Sequence, residues 1–157
     1  MRTLIACEES QEVCKAFREL GFEAYSCDLK ECSGGHPEWH LQMDIFQAIQ
    51  LYHWDLMIAH PPCTFLSISG NRWMNDKKHY PNRAKDREEA IQFFLKIAQA
   101  DIEHIAIENP IGVMSSRWKK PSQIIQPFQF GDRAQKNYLL MAQESSASYT
   151  HQHSGFW

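Results

Sequence analysis

Short apolar runs alternate with stretches of helical periodicity along most of this chain. Thr3-Leu4-Ile5-Ala6-Cys7 has the length of a buried strand, and Val13, Phe17 and Leu20 then recur at helical spacing until Gly21. That predicts a strand followed by a helix with a glycine stop. Phe22 to Cys27 is rich in aromatic residues and predicts a second, parallel strand ending at Asp28. Residues 29–40, with Ser33-Gly34-Gly35 and Pro37, read as loop, and Leu41 to Asp44 as a short third strand. Trp54 to Ala59 is an apolar run halted by His60-Pro61-Pro62, the pattern of a central strand entering a rigid loop.

A long polar stretch from Thr64 to Arg83 follows, and Ala84 to Ala100 then sets Ala90, Phe93, Phe94, Ile97 and Ala98 on one helical face. Ile102 to Ile107 predicts another strand, followed by a turn at Glu108-Asn109-Pro110. Gln123 to Phe130 and Asn137 to Ala142 are expected to pair as an antiparallel edge. The alternation predicts an α/β fold: a doubly wound, mainly parallel sheet with an antiparallel C-terminal edge. Residues 1–144 are expected to form a single domain. Residues 145–157, a mixture of Ser, Thr, His and aromatics without periodicity, are expected to be a loosely ordered tail.

Composition narrows the classes. A chain of 157 residues buries roughly 70% of its unfolded surface, enough for one core. Hydrophobic residues at 43% and charged residues at 22% exclude wholesale disorder. Sixteen Lys and Arg against nineteen Asp and Glu give a net charge of −3, so any nucleic-acid contact must be local. No apolar run reaches the ~18 residues of a membrane span, and no signal-peptide pattern opens the chain, so a cytoplasmic protein without a membrane partner is expected. The five cysteines form no repeated C-x-x-C pair, which points to reduced thiols and no metal site.

Ligands of doubly wound sheets bind at the carboxyl ends of the strands. Asp28, Asp44, the Pro61-Pro62-Cys63 turn and the Glu108-Asn109-Pro110 turn all fall there, which predicts one shared cleft. Cys63, held on a rigid turn, suits a nucleophile that adds to an electrophilic carbon; a small buried thiol is the alternative. Glu108 leaves the apolar strand of Ile105, Ala106 and Ile107, a setting suited to proton donation; the alternative is a surface acid bonded to its own loop.

Ile58-Ala59-His60-Pro61-Pro62-Cys63-Thr64-Phe65-Leu66-Ser67-Ile68-Ser69-Gly70 resembles the catalytic loop of DNA cytosine-5 methyltransferases, which runs Pro-Pro-Cys with Ser four and Gly seven residues after the Cys. Glu108-Asn109-Pro110 resembles the family's Glu-Asn-Val element, in the same order along the chain. The likeness is closest to small phage-type members without a separate target-recognition domain. These share Ala-Cys-Glu near the start, His-Pro-Pro-Cys-Thr, and a late Gln-Pro-aromatic-Gln-Phe-Gly matched by Gln126 to Gly131.

The resemblance implies a Rossmann-like methyltransferase core, S-adenosylmethionine as cofactor, cytosine-containing DNA as partner, and catalysis by Cys63 at C6 with Glu108 at N3 of a flipped cytosine. It implies cofactor contacts at Cys7, Glu8, Asp28, Leu29, Asp44, Ile45 and Pro61, with Asp28 on the ribose hydroxyls. Substrate contacts are implied at Pro62, Ser67, Asn109 and Lys136; Arg133 and Lys136 stand in for the family's Gln-x-Arg-x-Arg element. The chain departs from the family at Ala6-Cys7-Glu8-Glu9-Ser10, where a glycine-rich turn is usual, at His60 in place of Gly, at Thr64 in place of Gln, and at Pro110 in place of Val.

Other readings are a non-catalytic DNA- or protein-binding homologue without cofactor affinity and an enzyme acting on free pyrimidine nucleotides. Loops at Trp73 to Lys78 and Arg117 to Lys120 mix aromatic and basic residues in a way that suits bases and phosphates. A homodimer would place two clefts on one duplex. His36-Pro37-Glu38 with Pro62-Cys63 resembles half of the zinc deaminase signature, but Leu66 stands where the second thiolate belongs.

Overall fold

The computed structural model of the chain describes residues 1–76, 78–126 and 138–144. Seven strands form one sheet: β1 (Arg2–Ala6), β2 (Glu23–Asp28), β3 (His40–Gln42), β4 (Leu56–Ala59), β5 (His104–Pro110), β6 (Gln123–Ile125) and β7 (Tyr138–Glu144). Their spatial order is β3-β2-β1-β4-β5-β7-β6. The first five are parallel, whereas β7 runs antiparallel to both β5 and β6. The helices are α1 (Glu12–Glu19), α2 (Ile45–Leu51), α3 (Arg83–Ala98) and α4 (Met114–Arg117).

Alternation along β1 explains why both sheet faces are covered. Leu4 and Ile5 are consecutive, fully buried, and belong to different cores. Ile5 packs with Cys14 of α1 and Ala24 of β2, while Leu4 joins Met57, Phe94, Ile97, Ile105 and Ile107 in the larger core that includes α2, α3 and α4. Helices on both faces of a mainly parallel sheet are the doubly wound arrangement, and the antiparallel edge is where the sequence places it. Gly21 ends α1 with φ of 86°, a backbone region open to glycine at little cost.

Two local expectations need correction, and two short helices add to them. Glu108-Asn109-Pro110 is not a turn after β5 but its last three residues, paired with Leu140, Leu139 and Tyr138. The partner strand comes from about thirty residues downstream, so local pattern cannot announce the extension. Asp44 does not end a third strand: β3 stops at Gln42, and the Asp44 carboxylate caps α2 by accepting the Phe46 amide at 2.8 Å. Neither α2 nor α4 was expected from periodicity, since each is under eight residues long. The expected C-terminal tail, and the continuation of β6 to Phe130, lie outside the described residues.

Candidate active site

Parallel register builds the site. Cys27, Ala6, Ala59 and Ile107 lie side by side across β2, β1, β4 and β5. The next residue of each segment is therefore Asp28, Cys7, His60 and Glu108, one row at the carboxyl edge of the sheet. The ladder continues into this row, with the Glu8 amide donating to the Cys27 carbonyl at 3.1 Å and the His60 amide to the Ala6 carbonyl at 2.9 Å. Residues about fifty positions apart in sequence, Cys7 with His60 and His60 with Glu108, become neighbours at the strand spacing of about 4.8 Å.

The turn after β1 contains no glycine, yet it takes up a glycine-like shape. Cys7 and Gln11 both have φ of 59°. Such left-handed positions cost a side-chain-bearing residue about 1–2 kcal/mol, and the surroundings hold them in place. Glu8 is buried, and its carboxylate accepts the Val13 and Cys14 amides at 2.6 and 3.2 Å, satisfying the free N–H groups that open α1. The Gln11 side chain donates to the Ser26 hydroxyl at 3.2 Å and the His36 carbonyl at 2.8 Å, and accepts the His36 amide at 3.0 Å. A Cβ at Gly34 would meet the Ser10 carbonyl, so glycine is needed where this loop crosses the turn. Glu8 and Gln11 thus shape the turn from within, and the Glu8 carboxylate points into the protein. Gln11 lies in the polar run Glu8 to Glu12, so no local signal in the sequence marked it for such a role.

Asp28 keeps a half-buried place at the cleft, with one oxygen accepting the Lys30 amide at 3.0 Å. Leu29 beside it is exposed, and the Ile45 side chain is buried in the larger core, leaving its backbone at the start of α2. Burial pushes the Cys7 thiol up to about 12, and the negative charges of Asp28 and Asp44 act in the same direction. Cys27 is likewise pushed up to about 12, first by burial and then by Asp28. Both thiols are protonated near neutral pH and are poor nucleophiles.

Cys63 differs in being exposed. It follows buried Pro61 and exposed Pro62, and its carbonyl accepts the Leu66 and Ser67 amides at 3.0 and 3.1 Å, so the loop closes tightly behind the thiol. Two arginines of α3 hold the next carbonyls: Arg83 donates to Thr64 at 3.1 Å and Arg87 to Phe65 at 3.0 Å. The Arg83 guanidinium also sits 4.7 Å from the centre of the Phe65 ring. Burial lowers the Arg87 pKa, and the neighbouring charge of Arg83 lowers it further. The loop is then clamped to the segment after β5: Val113 donates to the Leu66 carbonyl at 2.9 Å and Ile68 to the Ile111 carbonyl at 3.1 Å, around a bridge between Ser67 and Gly112. Sequence reasoning missed Arg83, Arg87 and Gly112; the arginine spacing of four on one helix face was the available signal.

Glu108 projects beside His60, with Oε2 3.8 Å from Nδ1. Asn109 is fully buried, and neither its amide nitrogen nor its oxygen has a hydrogen-bond partner. Ser67 lies in the clamped loop with its hydroxyl 2.9 Å from that of Ser69. Lys136 and Arg133 lie outside the described residues. Of the aromatic and basic loops, Trp118 packs edge-on against Phe94 at 5.4 Å, and Arg117 is paired with Glu88 at 2.9 Å. His36 is paired with Glu38, and His40 is bonded to Ser26 and the Lys30 carbonyl; among the described residues no three His, Cys, Asp or Glu converge as for a metal.

A cavity of about 470 Å³ opens beside the Cys63 loop, lined by Pro62, Phe65, Ala90 and Phe93 with Asp86 and Glu89. Phe93 meets Phe46 edge-on at 5.7 Å, so this cavity adjoins the start of α2 next to Asp44. Cleft and cavity together offer flat apolar walls bordered by carboxylates. Among the described residues no helix is long and apolar enough to cross a membrane.

No family model and no curated protein matches the sequence. Among solved structures, the chain resembles a prophage-encoded candidate DNA modification methyltransferase of E. coli, with TM-score 0.55 and 13% identity over 94% of this chain and 48% of the other. An rRNA methylase from Escherichia coli aligns with TM-score 0.48 and 11% identity over 92% of this chain and 57% of the other. The chain thus spans about half the length of the solved structures it matches. At this identity the first likeness is one of fold: a Rossmann-like, mainly parallel sheet with helices on both faces and an antiparallel edge.

Proposed function

We propose that the chain transfers a methyl group from S-adenosylmethionine to C5 of cytosine in DNA through a covalent bond from Cys63 to C6. The observation that carries this reading is the exposed Cys63 thiol on a clamped turn after β4, with Glu108 at the end of the adjacent strand β5. Cys63 Sγ adds to C6, opening the C5–C6 double bond and sending its electron pair towards C5, while Glu108 engages N3 and draws charge from the ring. Once C5 has gained the methyl group, its C5–H bond breaks with the proton passing to water, the C6–S bond breaks with Cys63 leaving as thiolate, and the aromatic ring is restored. Such an attack needs the base out of the duplex stack. Pro62, Ser67, Asn109 and Lys136 are the substrate contacts in this reading; the Asn109 amide is unpartnered but fully buried, so a substrate reaches it only by displacing its cover.

The residues present fit the cofactor. S-adenosylmethionine, when bound, supplies an electrophilic methyl group on a positively charged sulfur. Asp28 suits the two ribose hydroxyls; Cys7, Glu8 and Leu29 contribute the backbone around them; Asp44, Ile45 and Pro61 border the adenine side. The left-handed Cys7 backbone supports the fit, because it gives the turn a shape for which glycine is the usual solution. The apolar walls of Pro62, Phe65 and Phe93 suit a flat heterocycle, and the flanking carboxylates suit a cation.

Calorimetric titration with S-adenosylmethionine and S-adenosylhomocysteine is the first test, with micromolar binding expected. Digestion of methylated DNA should then yield 5-methylcytosine, and DNA carrying 5-fluorocytosine should trap the chain covalently through Cys63. Product from dCMP but not from DNA would move the substrate to free pyrimidine nucleotides. Absence of cofactor binding, even with DNA present, would favour a binding protein without catalysis.

A further inference from the structure

His60 stands where the resembling family has glycine, and the fold gives it a position that glycine cannot use. Register makes His60 and Glu108 the first pair beyond the ladder between β4 and β5, and Nδ1 lies 3.8 Å from Oε2. That is an ion-pair distance, longer than a hydrogen bond, of the sort that tightens when a substrate fills a site. Among the described residues no other cation lies within 4.0 Å of Glu108. The other ring nitrogen, Nε2, is buried without a hydrogen-bond partner, so charging the ring carries a desolvation cost there, and the Glu108 carboxylate at Nδ1 is the contact that offsets it. On the β1 side of His60 the row offers Cys7, whose thiol is neutral, and beyond it Asp28; on its own loop lies Cys63.

We infer that His60 is the proton reservoir for Glu108: the two share one proton, which His60 holds at Nδ1 and passes to the Glu108 carboxylate as cytosine N3 is engaged. This rests on the methyl-transfer reading and adds a positioning residue to it. In the transfer the Nδ1–H bond breaks and a carboxyl O–H bond forms, leaving a neutral imidazole and a neutral acid. Glu108 then donates that proton to N3 while Cys63 adds to C6. When Cys63 leaves, N3 returns the proton along the same path, so no outside acid is consumed. A carboxylate alone is almost fully ionised near neutral pH and has little acid form to offer. An adjacent imidazolium brings a proton that is available there.

The test has two readouts. In the protein labelled with ¹⁵N histidine, imidazole nitrogen shifts report how much His60 carries both ring protons near pH 7. That fraction should fall at least about twofold in E108Q, because a neutral amide no longer favours the imidazolium. The second readout is the pH profile of methylation. H60Q should be about 10- to 100-fold slower at pH 7.5, with cofactor affinity unchanged, and its deficit against the unaltered chain should shrink as the pH is lowered, because protons from solution then replace the one that His60 supplies. A His60 proton population that E108Q leaves unmoved overturns the pairing whether or not product forms. An H60Q profile parallel to that of the unaltered chain overturns the reservoir role. If E108Q moves the His60 population but the unaltered chain makes no methylated product, the methyl-transfer reading fails and the pairing stands.

Discussion

The amide of Val113 donates to the carbonyl of Leu66, tying the segment after β5 to the loop that carries Cys63. Between the two contacts of this clamp lies Gly112, and a Cβ there would run into the Leu66 carbonyl itself. Backbone cannot yield as a flexible side chain can, so G112A must push the loops apart. The expected result is a loss of about 1–3 kcal/mol in urea unfolding. Trapping by 5-fluorocytosine DNA should fall far more than that loss alone would cause. Trapping that keeps pace with the unaltered chain would show that the clamp does not position Cys63.

Cys63→Ser should leave stability within about 0.5 kcal/mol, because the thiol is exposed and makes no packed contact to lose. Product formation should drop to background, a loss on the order of 10⁴-fold, since a serine hydroxyl is a far weaker nucleophile than a thiolate. Measurable turnover by this variant would remove the covalent mechanism.

Glu108→Gln keeps the shape of the side chain and removes its acid form. The methylation rate should fall by about 10²-fold or more while calorimetric affinity for S-adenosylmethionine changes less than about twofold. Equal loss of both would make Glu108 a structural residue at the end of β5.

Asp28→Asn tests the cofactor side separately. Removing the charge that accepts hydroxyl donors should weaken S-adenosylmethionine about tenfold or more, corresponding to a charged hydrogen bond of ~1.5–3 kcal/mol. The rate at saturating cofactor should change little. Unaltered affinity would take Asp28 out of the binding site.

Alkaline pH should destabilise the protein through two thiols at the strand ends, half-buried Cys7 and buried Cys27. Cys7 and Cys27 are each pushed up to about 12 from an ordinary 9.0. The folded chain therefore holds these protons more tightly than the unfolded chain. Their contribution to stability is complete below pH 9 and is lost as pH rises towards 12. Urea midpoints should be level from about pH 7 to 8.5 and decline from about pH 9 to 11, less steeply in C27A. An identical decline in that variant would assign the effect to other groups. Iodoacetamide near pH 8 should label Cys63 ahead of both.

The fold was largely legible because its signals are local. The Leu4-Ile5 run, the Val13-Phe17-Leu20 spacing and the abrupt stop at His60-Pro61-Pro62 each reflect whether neighbouring residues can be buried together. The same locality explains the errors. Asp44 looks like a strand end because an acid after an apolar residue serves a strand or a helix cap equally well. Asn109 and Pro110 look like a turn because their partners on β7 are not nearby in sequence.

By itself, the sequence determined the alternation of strands and helices, the antiparallel edge, and the presence of thiol and carboxylate groups at strand ends. These follow from periodic burial and from turn chemistry within a few residues. Tertiary structure alone decided which of those ends become neighbours. It set Asp28, Cys7, His60 and Glu108 in one row, turned Glu8 inward to cap α1, gave Cys7 its left-handed backbone, and placed Gly112 under the Cys63 loop. The physical reason is register: hydrogen bonding between parallel strands fixes side-chain neighbours across long loops, and no local pattern encodes that pairing.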